Sequence, residues 1–407
     1  MRSLRGKRVL LGVGGGIAAY KSAEVIRRLI AAGADVQVAM TLAATRFITP
    51  LTLQTLSRRP VASDLLSESE DAAIGHIRLA EEADVVLVAP ATADLVARLA
   101  AGIADDMVTA TALVTRAPIV VAPSMNTLML EHPATQANLA TLRGYGYRIV
   151  DPASGELACG YEGAGRLPDP EDLVQEVAAA LSSPELRGRR VVVSAGPTCE
   201  PIDPVRHVTN RSSGRMGYAV AAAAWRRGAA VTLVSGPTSL PIPRGVEAVH
   251  VRTAAEMATS MTAQSANADV VVMVAAVADY RPMNAAAAKI KKTEGELQLQ
   301  LERTEDVLAS LSRTKGRRIL VGFAAETDAV RENALSKLRR KNLDLIVAND
   351  VSAPGTGFDV STNAAILIDA AGGEKHSGLV GKDDLAEMIL DEVARILRAT
   401  LSPSQSN

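Results

Sequence analysis

Short apolar runs alternate with helical patterns through the first half of the chain. Residues 8–13 read as a buried strand. Residues 17–32 carry helical spacing at Ile17, Tyr20, Val25 and Leu29, with a stop at Gly33. Residues 36–40, 84–89 and 119–122 read as three further strands. Continuous β-rich runs separated by helices predict a parallel sheet covered on both faces. The segment LSSPELRGRR (181–190) gathers Ser, Pro, Gly and charge, and the pattern restarts after it. Residues 190–195 and 230–235 then read as strands and 214–227 as a helix. AAGADVQVA (31–39) echoes RRGAAVTLV (226–234), and EADVVLVAP (82–90) echoes NADVVVMVA (267–275). The predicted fold is α/β, with two doubly wound, mainly parallel-sheet, Rossmann-like domains in tandem. The expected bounds are residues 1–184 and 185–400, followed by a disordered polar tail at 401–407. Ligands of such sheets bind beyond the carboxyl ends of the strands, which directs attention to the loops after Val13, Ala89, Ala122, Ala195 and Ala275.

Composition narrows the function classes. A chain of 407 residues exceeds one ordinary core, and its net charge of −1 lacks the basic excess of a nucleic-acid binder. The two cysteines, Cys159 and Cys199, form no disulfide framework, so a reducing, cytoplasmic setting is expected. Arg2, Arg5, Lys7 and Arg8 before an apolar stretch imitate a signal peptide, but Gly12, Gly14, Gly15 and Gly16 interrupt it, and a strand with a glycine turn is the reading kept. No run reaches the length of a membrane span. The five histidines are scattered and neither HExxH nor CxxC occurs, which disfavours a metalloenzyme.

Gly14, Gly15, Gly16 and Ala19 satisfy G-x-G-x-x-A after a strand, a pattern shared by phosphate cradles and by ordinary tight turns. A dinucleotide site calls for an acid at the end of the second strand. That strand ends Ala39-Met40-Thr41, and Thr41 and Thr45 offer hydroxyls suited to a terminal monophosphate, so FMN is favoured over NAD. His76, Asn126 and Cys159 lie in three separated segments, and the three glycines of ACGYEGAGRL suggest a mobile flap carrying the thiol. In the second half, Ser212, Ser213 and Gly214 stand at a predicted helix start, where an anion site and a plain helix cap are both open readings. Asp279 follows a buried strand, and Lys289, Lys291 and Lys292 form a cluster that is either a solvated charge run or a triphosphate clamp.

GGGIAAYK, APATADL, PSMN with Met129, and SGELACGYEGAGRL resemble the phosphopantothenoylcysteine decarboxylase branch of the HFCD flavoproteins over nearly all of residues 5–180. The resemblance implies FMN-dependent oxidation of the substrate thiol to a thioaldehyde, loss of the neighbouring carboxylate as CO2, and re-reduction. It implies His76 as base, Asn126 as the carboxylate's hydrogen-bond partner and Cys159 as a proton donor that stays protonated near neutral pH. Gly15, Gly16, Ile17, Thr41, Thr45 and Phe47 would meet the flavin, together with Ala89, Thr92, Ser124 and Met125. Gly14 stands where the family commonly has Thr or Ser, and Leu130 where it has an aromatic residue.

SAGPT, EPIDPVRHVTNRSSGRMG, LVSGP, AAVADYRP, KIKK, GFAAET and RKNLDLIVANDV resemble phosphopantothenate–cysteine ligase over residues 189–395. The fusion resembles the bifunctional bacterial arrangement, in which ligation uses CTP. The resemblance implies attack of the 4'-phosphopantothenate carboxylate on the α-phosphate of CTP, then aminolysis of the acyl-cytidylate by L-cysteine. Mg2+ rides on the triphosphate, with protein ligands unknown. Asn210 would support the intermediate, and Lys289 would reach the triphosphate or the phosphopantothenate. Ser212 and Gly214 would cradle phosphates; Met273, Val274, Ala275 and Asp279 would line the nucleotide site. So would Glu305, Asp306, Val307, Leu308 and Phe323, with Lys337 and Lys341 one helical turn apart. Arg206 and Ala276 would meet the substrate, Arg206 across a dimer interface. ERTEDVL (302–308) keeps Asp306 but lacks the family's Asn-Pro. The resemblance implies flavin sites between subunits of a trimer and ligase domains that dimerise, hence a closed homo-oligomer, a dodecamer satisfying both. No nucleic-acid or membrane partner is expected. A regulatory flavoprotein of the same fold would be expected to lose His76, Asn126 or Cys159, and all three are present.

Overall fold

The computed structural model describes residues 2–65, 75–156, 160, 162–292, 296–326, 328–350, 357 and 360–401. Cys159 and residues 402–407 lie outside that set. The chain divides into Met1–Ser183 and Pro184–Asn407, one residue before the expected bound.

The first unit holds a five-stranded sheet of β1 (Arg8–Val13), β2 (Asp35–Met40), β3 (Val85–Ala91), β4 (Ile119–Pro123) and β5 (Arg148–Ile149). Their order is β2-β1-β3-β4-β5, and every pairing is parallel. Val9, Leu11, Val85, Leu87 and Val120 are fully buried, as expected of strands covered on both faces. The helices are α1 (Ser22–Ala31), α2 (Pro50–Ser57), α3 (Gly75–Glu82), α4 (Ala93–Ala101), α5 (Met107–Val114), α6 (Thr127–Glu131), α7 (Pro133–Gly144) and α8 (Pro170–Leu181). Between α7 and α8, an antiparallel hairpin pairs β6 (Ala153–Glu156) with β7 (Glu162–Arg166).

The single helix expected over 17–32 is two pieces, a 3-10 turn at Ile17–Lys21 and then α1. Gly16, extended at φ −142°, opens the turn without a side-chain cap. Val25 and Leu29 are buried as the periodicity requires, but Ile17 and Tyr20 are 61% and 60% exposed. Their apolar surfaces face a cavity rather than the core.

The second unit holds β8 (Arg190–Ala195), β9 (Cys199–Pro201), β10 (His207–Thr209), α9 (Arg215–Arg226), β11 (Ala230–Ser235), β12 (Val246–His250), α10 (Ala254–Ser265) and β13 (Val270–Met273). There follow β14 (Tyr280–Pro282), β15 (Leu301–Arg303), α11 (Val307–Arg313), β16 (Ile319–Glu326), α12 (Val330–Arg340), β17 (Leu345–Asp350), β18 (Thr362–Asp369), β19 (Glu374–Gly381) and α13 (Lys382–Leu401). The main sheet runs β12-β11-β8-β13-β16-β17-β18-β19, parallel as far as β17 and antiparallel beyond it. Both sheets are therefore doubly wound α/β, with order reversals at β1/β3 and β8/β13, where such folds leave a crevice for ligands.

Candidate functional sites

Hydrogen bonds between strand ends shape the first crevice. Gly14 N–H donates to Pro90 O at 3.0 Å, Thr41 N–H to Val13 O at 3.1 Å, and Ser124 N–H to Ala91 O at 2.9 Å. Around this frame lies a cavity of about 990 Å³, at the upper end of small-molecule pockets. Gly15, Gly16, Ile17, Thr41, Thr92, Ser124, Met125 and Asn126 line it together. A Cβ on Gly15 would lie 2.3 Å from Ala43 Cβ, so only glycine lets the turn after β1 approach the loop after β2 this closely. At Gly14 a Cβ would fall 2.4 Å from Pro90 O, so the hydroxyl-bearing residue of the family pattern would need a different backbone position.

Thr92 caps α4 by accepting the Leu95 N–H at 3.2 Å, and Asn126 Oδ1 caps α6 by accepting the Leu128 N–H at 2.9 Å. The cap occupies the oxygen, and a carboxylate would call on the amide's donor end. Thr45 and Phe47 are not among the lining residues; the Thr45 hydroxyl donates to Leu42 O at 2.7 Å. Ala89 is buried within β3, which leaves its backbone as the contact it can offer. His76 does not line the cavity either; it sits on α3, which packs against α5, and its Nδ1 is buried without a partner among the described residues.

Of the three glycines in the expected flap, Gly160, at φ +81°, has open space where a Cβ would lie, while the other two are closely packed. Gly163 and Gly165 serve close packing: a Cβ on Gly163 would meet Thr127 Oγ1 at 2.5 Å, and one on Gly165 would meet Met125 O at 2.1 Å. Met125 N–H donates to Gly165 O at 2.9 Å and Thr127 Oγ1 to Ala164 O at 2.7 Å, so β7 is docked on the PSMN turn. Cys159 itself lies outside the described residues.

Lys21, Arg98, Glu156 and Arg166 also line this cavity and were not singled out from the sequence, although Lys21, Glu156 and Arg166 lie inside the quoted motifs. Burial, and then the nearby Arg166 charge, push the Lys21 ammonium below its ordinary value against the pull of Asp169. Arg98 is fixed by Asp94, Asp105 and Asp106.

In the second unit, Ser194 Oγ accepts the N–H groups of Val274 and Ala275 at 3.0 Å each, and Thr198 Oγ1 accepts Ala278 N–H at 3.0 Å. Ala276 N–H donates to Gly196 O at 2.9 Å. These bonds fix the loop after β13 against the loop after β8, beside a cavity of about 570 Å³. Asn210, Ser212, Gly214, Val274, Ala275, Ala276, Asp279, Phe323 and Lys337 line it. Gly214, at φ +75°, caps α9; a Cβ there would meet Thr238 Cγ2 at 2.6 Å. Ser212 Oγ accepts the Gly214 N–H at 3.3 Å, and Asn210 Nδ2 donates to Val277 O at 3.0 Å and Ala276 O at 3.4 Å. The start of α9, with its unspent N–H groups, thus faces the cavity as an anion site would.

Lys337 Nζ donates to Phe323 O at 2.7 Å. Burial pushes this ammonium below its ordinary value, while Glu326, Asp306 and Asp279 pull it back up. Lys341 is paired with Asp306, which also caps α11 by accepting Ala309 N–H at 2.9 Å. Burial raises the Asp306 carboxyl, but Lys341 and the Ala309 N–H carry it below the usual carboxylate value. Neither Lys341 nor residues 305–308 line the cavity. Met273, Val307 and Leu308 are core side chains, so their backbones are what a ligand could meet. Glu305 accepts the Ser310 hydroxyl at 2.5 Å. Lys289 is exposed on a strap outside the cavity lining, and Arg206 is engaged by Asp203. Asn349, inside the quoted RKNLDLIVANDV, lines the cavity without having been singled out, whereas Asn363 and Lys382 lie in no quoted motif and join it only through the topology. Among the described residues, no three His, Cys, Asp or Glu side chains converge to hold a metal, and no helix is long and apolar enough to cross a membrane.

The comparisons follow this division. Residues 1–182 match the family model described as Flavoprotein, and residues 186–397 match that described as DNA/pantothenate metabolism flavoprotein C-terminal domain. The chain is 49% identical over 394 residues to the Coenzyme A biosynthesis bifunctional protein CoaBC of Vibrio cholerae, covering 96% of this chain and 98% of that one. It is 50% identical over 397 residues to the protein of the same name from Escherichia coli K12, covering 96% and 97%. The solved C-terminal domain of a protein of that name is 41% identical, covers 53% of this chain and all of that one, and superposes with a TM-score of 0.47.

Proposed function

The chain belongs to the family of bifunctional coenzyme A biosynthesis proteins, and on that premise we propose how its two halves divide the chemistry. The enzyme carries phosphopantothenoylcysteine decarboxylase and ligase domains. The observation that supports the division is one cavity at the strand-order reversal of each sheet, each lined by its half's motif residues.

The C-terminal half acts first. Ser212, Gly214 and the start of α9 receive phosphates of CTP, with Mg2+ carried on the triphosphate. Asp279, Phe323 and Lys337 line the nucleotide's place. Asn210, held by two carbonyls of the loop after β13, steadies the acyl-cytidylate while the cysteine amine attacks. Lys289 meets the triphosphate or the phosphopantothenate.

The N-terminal half then takes the phosphopantothenoylcysteine. The glycine cradle, Thr41, Thr92, Ser124 and Met125 suit FMN, which when bound would accept a hydride from the carbon bearing the substrate thiol and give one to the decarboxylated enethiol. Asn126 holds the substrate carboxylate from its capped position. Cys159 supplies a proton in the re-reduction. His76, apart from the cavity within one chain, acts as base where a second copy completes the site, in keeping with a trimeric flavin unit and a dimeric ligase unit. The cytoplasm is the compartment proposed.

Gly15→Ala is expected to push the cradle off Ala43 and to lower flavin occupancy at least about tenfold, read from flavin released by denaturation. Occupancy equal to wild type would reject the cradle. Cys159→Ser is expected to lose CO2 from phosphopantothenoylcysteine yet accumulate an oxidised enethiol, at least about 10²-fold short of normal phosphopantetheine output. Normal output by mass spectrometry would sink the assigned role.

A further inference from the structure

The segment that carries Lys289 has little structure of its own. Residues 283–292 form neither helix nor strand, and Lys289, Lys291 and Lys292 are exposed. The turn at residues 202–206 holds it in place. Ile202 N–H and Asp203 N–H both donate to Arg206 O, at 2.9 and 3.2 Å, which closes the turn. Asp203 is 3% exposed, and its Oδ1 accepts the N–H groups of Val205 and Arg206 at 2.8 Å each.

The outer carboxylate oxygen reaches the strap. Asp203 Oδ2 accepts Arg206 Nε at 3.0 Å, Arg206 Nη2 at 2.5 Å and the Ile290 N–H at 3.2 Å. Arg206 Nη2 also donates to Ile290 O at 2.8 Å, so both backbone groups of the residue after Lys289 are gripped. A third anchor joins Ala286 N–H to Ile202 O at 2.9 Å. The Arg206 guanidinium keeps the Asp203 carboxyl well below the usual carboxylate range, with the backbone donors adding to it against the cost of burial. A charge-assisted, forked pair of this kind fixes direction as well as distance.

We propose that Asp203 is a positioning residue for ligation: with Arg206 it clamps the backbone at Ile290 and so presents Lys289 to its anionic ligand from one place. The proposal rests on the reading of Lys289 given above. It gives Arg206 work within its own chain, as the arm by which Asp203 reaches the strap. Without the clamp, Lys289 would keep its charge but lose its fixed origin, and binding of the charged substrate would weaken before the chemistry does.

The test uses the full-length protein as wild type, Asp203→Asn, Lys289→Gln and the double variant. Ligation is measured with 4'-phosphopantothenate, cysteine, Mg2+ and CTP, and decarboxylation with supplied phosphopantothenoylcysteine. Limited trypsin cleavage after Lys289, Lys291 and Lys292 is followed by mass spectrometry. Asp203→Asn should raise cleavage at the strap about tenfold and lower ligation kcat/KM about tenfold, chiefly through KM, with decarboxylation unchanged. The double variant should be no slower than Lys289→Gln alone, since one residue acts through the other. Additive losses, or cleavage equal to wild type, would overturn the proposal. Wild-type ligation by Lys289→Gln with accelerated cleavage in Asp203→Asn would overturn it through the Lys289 reading, leaving the clamp itself standing. If Asp203→Asn yields no soluble protein, Arg206→Lys removes the fork and keeps the charge. The same pattern is then expected, and unchanged cleavage overturns the proposal.

Discussion

Asn210→Asp should cut ligation by about 10²–10³-fold and leave an acyl-nucleotide intermediate detectable by mass spectrometry. The side-chain amide donates to Val277 O at 3.0 Å and Ala276 O at 3.4 Å, which fixes its orientation at the rim of the second cavity. An aspartate of the same shape has no N–H to give. Its carboxylate would face those two carbonyls and add negative charge where phosphates gather. The loop from Val274 to Ala278 is held separately by Ser194 and Thr198, so the cavity should persist and the loss should fall on the chemistry. Supplied phosphopantothenoylcysteine should still be decarboxylated at the wild-type rate. Unchanged ligation would remove Asn210 from the mechanism.

The largest effect on stability is expected at Glu387. This residue is 6% exposed on α13, and it accepts Arg226 Nη2 at 2.7 Å from α9. Arg227, at the end of the same helix, donates to it through Nε at 3.0 Å and Nη2 at 2.8 Å and also reaches Asp391 at 2.7 Å. Glu387→Ala leaves two buried guanidinium groups short of their shared acceptor, and breaking a buried pair from one side costs about 3–5 kcal/mol. The midpoint of urea unfolding for the C-terminal half should fall accordingly, while flavin release, which reports on the other half, should hold its midpoint. A loss under about 1 kcal/mol would mean that solvent takes the place of Glu387.

The strands at 8–13, 190–195 and 230–235 were legible because each is a continuous β-rich run in a sheet covered on both faces. The edge was not. β19 (EKHSGLVG) is largely exposed and shows no alternation of burial, and it pairs antiparallel along the outer side of β18. Ile17 and Tyr20 showed the same limit from the other direction: helical spacing marks an apolar face but does not say whether core or ligand covers it. The glycine cradle and the Ser212–Gly214 turn were local enough to read as motifs. Asn363 and Lys382 were not, because they join the second cavity through an antiparallel return that no short pattern announces. Asp203 was hidden inside a quoted motif, and its grip on Ile290 spans 87 positions.

The central claim is that one chain carries out both steps in order, with the C-terminal half feeding the N-terminal half. Its most direct measurement is a single incubation of the full-length protein with 4'-phosphopantothenate, cysteine, Mg2+ and either CTP or ATP. Products and bound flavin are then identified by mass spectrometry. The account predicts bound FMN, with CMP, pyrophosphate and 4'-phosphopantetheine from the CTP arm and phosphopantothenoylcysteine only as a transient. A reaction that stops at phosphopantothenoylcysteine despite bound flavin, or forms none of it with CTP, would contradict it.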